Sequence, residues 1–133
     1  MHRNDERGAA ALEFALLCIP LFLLLLGSIE FGFALYAKQV VASAAREGAR
    51  AGIVQQNPKL SSAAIQGVVG GYLNGMGLTA TPAVVVTGAQ LPNPAQLTVQ
   101  VTYPYQSLTG LSALVPGLQN TMSILARSVM LQE

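Results

Sequence analysis

RGAAALEFALLCIPLFLLLLGSIEFG, residues 7–32, is the stretch that decides the fold. Residues 9–29 carry a single charge, Glu13. At about 1.5 Å rise per residue they make a helix of about 31 Å, which matches a bilayer hydrocarbon core of about 30 Å. The stretch therefore reads as one membrane-spanning helix. A secretory signal shares the plan of charged start and apolar run, with Gly32-Phe33-Ala34 as a small-x-small cleavage site. Against that reading, the run is longer than a typical signal and Glu13 interrupts its start. Pro20 removes one backbone hydrogen bond in mid-span and predicts a kink or local loosening there.

Working outward, the helical pattern continues past the span. Residues 30–54, EFGFALYAKQVVASAAREGARAGIV, are rich in alanine and free of proline. One continuous helix over about residues 9–55 is expected, about 70 Å long. Its outer part has a small-residue face of Ala37, Val41, Ala44, Ala45, Gly48, Ala51 and Gly52, while Lys38, Arg46, Glu47 and Arg50 fall largely elsewhere. Gly48 and Gly52 form a G-x-x-x-G pair that allows close approach. In lipid the pair marks helix dimerisation; outside lipid it marks packing against the chain's own C-terminal domain.

Asn57-Pro58 breaks the helix, because proline cannot continue the ladder and restricts the residue before it. Residues 60–74 then read as a second, shorter helix with Ser61 or Ser62 as N-cap; Ile65, Val68, Val69, Tyr72 and Leu73 share one face, and NGMG ends it. Beyond Thr79 the period becomes two, first in PAVVVTG and then in QLTVQVTYPY, where Leu97, Val99, Val101 and Tyr103 face one way. The final NTMSILARSVMLQE reads as a third strand, with a short helix as the alternative. Between them AQLPNPA is turn chemistry, and SLTGLSALVPGL is a longer apolar loop with room for a helical turn. The fold class expected is α+β: a long N-terminal helix, then a small domain of one helix on a roughly three-stranded antiparallel sheet.

The chain is 52% hydrophobic and 10% charged, against about 25% charged in an average soluble domain. Its net charge is +1 and its 7 basic residues are scattered, so nucleic acid is not an expected partner. Cys18 is the sole cysteine, so no intrachain disulfide forms. Between Arg50 and Glu133 there is no Asp, Glu, His or Cys, and the sole histidine is His2. Carboxylate pairs, metal clusters and triads cannot be assembled from that inventory. GVVGGYLNGMG is neither a P-loop nor a dinucleotide fingerprint. The expectation is a binding or assembly module, not an enzyme, with no cofactor, no metal and no small-molecule substrate.

Glu13 is then the anomaly. A carboxylate at the centre of a membrane helix costs about 2.5–3.5 kcal/mol, and less near the interface where it can snorkel. Either Glu13 reaches headgroups or water from just inside the apolar edge, or it has a function that offsets the cost.

Gly8, four small or apolar residues and then Glu13-Phe14 at the head of a long hydrophobic helix resemble the class III signal sequence of type IV pilin-like proteins. More particularly, residues 7–52, with Pro20, Gly27, Glu30-Phe31-Gly32 and AREGAR in that order, resemble TadE-like minor pilins, or pseudopilins, of the tight-adherence (Tad, Flp) type IV pilus system. The resemblance implies cleavage by a membrane prepilin peptidase between Gly8 and Ala9, with Glu13 and Phe14 as the recognition and assembly pair. Ala9 would become the mature N-terminus, and Glu13, now the fifth residue, would neutralise an α-amino group within or between subunits. An acid in the first turns of a helix is also favoured by the unsatisfied N–H groups there. The first mature residue departs from the Phe or Met usual in type IV pilins proper and in type II secretion pseudopilins. The size of the C-terminal half argues against a major Flp pilin, which is short and nearly all helix.

The resemblance implies a minor pilin of Tad pilus assembly, serving surface adherence or biofilm formation. Its expected partners are the inner membrane, the prepilin peptidase, other Tad pilins and pilus assembly proteins. The expected place is the bacterial inner membrane, single-pass with the C-terminal domain in the periplasm, and the extracellular pilus after assembly. The organisation expected is a leader over 1–8, a transmembrane and assembly helix over 9–29, an amphipathic extension over 30–56 and a small α+β domain over 57–133. The alternative is an unpolymerised, single-pass, membrane-anchored envelope binding protein.

Overall fold

A computed structural model of the chain describes residues 3–54, 58–92, 95–110 and 121–132. Helix α1 (Arg3–Ile53) runs unbroken through Pro20. At 1.5 Å per residue it is about 76 Å long. Helix α2 (Ser62–Gly75) follows, then strands β1 (Ala83–Thr87), β2 (Ala95–Gln106) and β3 (Thr121–Gln132). The expected α+β architecture is the observed one, and the last segment is a strand rather than a helix. The break at Asn57 and the helical turn expected in SLTGLSALVPGL fall wholly or largely outside the described residues.

Local chemistry sets the ends of α2. Ser61 is the N-cap, its hydroxyl accepting from the Ala64 amide at 3.3 Å. At the other end Gly77 takes φ +82°, where a Cβ would be strained, and lets the Leu78 amide turn back to the Leu73 carbonyl at 2.9 Å.

The strands form one antiparallel sheet in the order β1-β2-β3. Val85 lies opposite Gln100, which lies opposite Arg127. Pro104, in a central strand by sheet order, is tolerated because β1 reaches only as far as Thr102; at Pro104 β2 is paired with β3 alone. Helix α1 lies across β2 and β3, and α2 packs beside it over β1.

The core lies between the C-terminal half of α1 and the sheet. Val41, Ala44 and Ala49 of α1, Ile65 and Val69 of α2, and Leu97, Val99 and Val101 of β2 have no accessible surface. The alternation read in β2 is observed and extends one step further, to Tyr105. The small face of α1 explains how a helix can lie so close to a sheet. A Cβ built on Gly48 would stand 2.5 Å from Cγ2 of Val69, and one on Gly52 would overlap Leu97 Cδ2 and stand 2.8 Å from Ile65 Cδ1. The G-x-x-x-G pair is thus occupied by the chain's own domain, the second of the two uses read from the sequence. The compact unit consequently includes α1 from about Ala34 onward, rather than starting after the helix ends.

Candidate functional site

Helix α1 carries two surfaces in series. Over residues 8–29 none of the described residues covers it: Leu12, Phe14, Leu16, Leu17 and Leu24 are all about two-thirds exposed or more. Such a stripe in water would be untenable, and an apolar helix of this length is compatible with a single-pass membrane anchor. From Ala37 onward one face is buried in the core and the other presents Lys38, Arg46, Glu47 and Arg50 to solvent.

The residues predicted from sequence are distributed along this axis. Gly8 and Ala9 are exposed and lie inside the helix, which continues through the bond between them. Glu13 and Phe14 follow on the bare surface. None of these four touches the C-terminal domain, about 30 Å or more along the helix from Glu13 to the first fully buried residues. Gly48 and Gly52 lie at the far end, inside the core.

Where the bare and covered surfaces meet stands Glu30, whose role was not read from the sequence. Its Oε1 accepts from the Tyr105 hydroxyl at 2.9 Å, and its Oε2 from the Thr109 hydroxyl at 2.8 Å and the Thr109 amide at 3.0 Å. The Leu108 amide is shared between the two oxygens at 3.2 and 3.1 Å. One carboxylate of α1 thus holds the chain that leaves β2, across more than 70 residues of sequence. Burial pushes the Glu30 carboxyl up, but the Thr109 amide and hydroxyl, the Tyr105 hydroxyl and the Leu108 amide outweigh it, and the net position is below the ordinary 4.5. Tyr105 moves the other way, its phenol pushed up from 10.0 to about 12 by burial, by its hydrogen bond to Glu30 and by the charge on Glu30.

Two sequence signals pointed to this clamp. Glu30 is a second carboxylate closing an apolar run, and Tyr105 continues the inward phase of Leu97, Val99, Val101 and Tyr103. The pairing itself has no sequence signature, because the donors are mostly backbone amides and hydroxyls rather than a cation. Beside the clamp, Phe33, Tyr36, Met76, Tyr103, Tyr105 and Leu108 line a groove of about 400 Å³. Among the described residues no group of three or more His, Cys, Asp or Glu converges to hold a metal ion.

The geometry defines a class first: an α+β domain folded onto the outer half of a helix whose inner half is apolar and bare. Residues 8–50, about a third of the chain, match the model of the TadE-like protein family. The match begins at Gly8 and stops just short of Gly52, so the similarity to that family lies along the long helix. No curated protein and no solved structure matches the chain.

Proposed function

We propose that this protein is a minor pilin, or pseudopilin, that takes part in assembly of a Tad (Flp) pilus and thereby in surface adherence. The observation that carries the reading is the coincidence of the TadE-like match with α1, whose residues 9–29 are bare, apolar and marked by one carboxylate. In this reading the chain is inserted through residues 9–29 into the bacterial inner membrane, with its C-terminal domain in the periplasm. A prepilin peptidase cleaves it between Gly8 and Ala9.

The mature helix then packs among those of other Tad pilins, with the Glu13 carboxylate meeting an N-terminal ammonium in a low-dielectric setting where such a pair is worth far more than in water. That pairing sets the axial register of neighbouring subunits, and Phe14 packs beside it. The C-terminal domain projects and contacts other pilus assembly proteins. Its part is structural rather than enzymatic, and it calls on no cofactor.

N-terminal sequencing of the mature protein from cells with and without the peptidase tests the reading. Ala9 as first residue in the one and an uncleaved chain in the other are expected. A mature start near Leu35 would identify a secretory signal instead, and the same N-terminus in both strains would remove the peptidase from the account.

A further inference from the structure

We propose that the base of the C-terminal domain is itself seated on the bilayer as an apolar foot, with Leu108 at the boundary between acyl chains and headgroups and Phe33, Tyr36 and Met76 in the headgroup layer above it. The inference rests on reading α1 as a membrane span and goes beyond it, because a span alone leaves the domain free to stand clear of the lipid.

Glu30 is the first residue after the apolar run of 9–29, so its carboxylate lies at the edge of the hydrocarbon core. The Leu108 amide is bonded directly to that carboxylate, which places the Leu108 side chain, 64% exposed, at the same level.

Phe33 and Tyr36 follow Glu30 by about 4.5 and 9 Å along the helix, and the headgroup layer is about 5–7 Å deep on each side. Phe33 therefore falls within that layer and the Tyr36 ring at its outer edge, where aromatic residues are favoured. Both rings are about half exposed. The Tyr36 hydroxyl donates to the Met76 carbonyl at 3.1 Å, which brings a fourth apolar side chain, 44% exposed, down to the same rim.

The foot carries no cation, and the charge of Glu30 is already taken up by donors of its own chain. A neutral, amphipathic rim continuous with a membrane helix fits a zwitterionic lipid interface rather than an anionic or a proteinaceous partner. Glu30 then keeps the Leu108 segment pressed down against the helix at the lipid surface.

The chain contains no tryptophan, so one introduced indole reports a single position. Leu108→Trp and, independently, Met76→Trp are made in the full chain and reconstituted into phosphatidylcholine vesicles, with and without lipids brominated near the headgroup end of the acyl chain. Both variants are expected to emit at blue-shifted wavelength; Leu108→Trp should lose about half its emission to the shallow bromines and Met76→Trp, higher in the headgroup layer, a smaller but measurable part.

Val85→Trp, on β1 and paired with Gln100 some 17 Å along β2 from Tyr105, is expected to keep its emission. Adding Glu30→Gln to Leu108→Trp is expected to reduce the quenching measurably, because the hydrogen bonds that hold the Leu108 and Thr109 amides weaken. Water-like, unquenched emission from both foot variants, with Leu23→Trp in the span quenched by deep bromines, overturns the inference and leaves the span intact. If Leu23→Trp is also unquenched, the span reading fails and the inference with it. A blue shift without quenching that grows with protein-to-lipid ratio assigns the foot to a second copy of the chain and also overturns it.

Discussion

The two halves of α1 are one helix in two surroundings. Over residues 8–33 its surface is Leu, Ile and Phe with glycines that meet nothing: a Cβ on Gly27 or Gly32 would have no neighbour within 4 Å. Over residues 37–52 its inward face is Ala, Val and Gly, and a Cβ on Gly48 or Gly52 would collide with the core. The same residue type is therefore idle in one half and required in the other. Large side chains suit the half that needs apolar area against lipid or neighbouring helices, and small ones suit the half that must let a sheet come close. Glu13 and Glu30 repeat the contrast: the first has no partner within the domain's reach, and the second is fully engaged by it.

The largest effect that would sharpen this division is functional. Glu13→Gln is expected to abolish pilus assembly in cells lacking the native protein, scored by electron microscopy, while leaving denaturant unfolding of the C-terminal domain unchanged. Pili in normal number would break the assignment of assembly to the bare half.

Next in size, Gly52→Leu is expected to destabilise the domain by about 3 kcal/mol, at the upper end of overpacking costs, because Ile65 and Leu97 are fully buried and cannot yield. Urea unfolding of the full chain in detergent, followed by circular dichroism of the sheet, measures it.

A smaller cost, about 1–2 kcal/mol, is expected for Glu30→Gln, since charge-assisted hydrogen bonds from Tyr105, Leu108 and Thr109 weaken while the shape is kept. The pH dependence has a definite sign. A carboxyl lowered in the folded protein contributes stability that is complete above its ordinary 4.5 and is lost as pH falls through the lowered native value. The partner phenol, raised from 10.0 to about 12, acts oppositely: its contribution is complete below pH 10 and is lost as pH rises through about 12. Unfolding midpoints measured across both limbs should flatten in Glu30→Gln, and unchanged limbs would remove the clamp from the account.

The smallest effect is the control. Gly27→Ala is expected to change domain stability by no more than about 0.5 kcal/mol, because nothing stands near the added methyl. A cost comparable to that of Gly52→Leu would show that the bare half is packed after all.

Periodicity made much of the domain legible. The apolar run, the period of two in residues 97–103 and a serine cap at Ser61 or Ser62 each follow from local rules that a sequence displays directly. Two things were less legible. The third strand has an imperfect alternation because Leu125, Val129 and Leu131 lie on its outer side while Ser128 lies on the inner one, opposite Val99, so hydrophobicity does not mark its buried face. The Glu30 clamp was hidden for a different reason, since its donors sit 75 to 79 residues away and are generic groups that any segment could supply.

Residue order alone determined the membrane-length helix, the position of its single interior charge, the second helix and the first two strands, because each depends on side-chain type at short spacing. Only the tertiary structure decided which surface Gly48 and Gly52 face and where Glu30 spends its charge. Both depend on which distant segment is brought against the helix, and one-dimensional spacing does not encode that distance. The physical cause is the same in both cases: a close approach has to be filled by a neighbour, and a part-buried carboxylate has to be satisfied by one, and folding selects which neighbour it is.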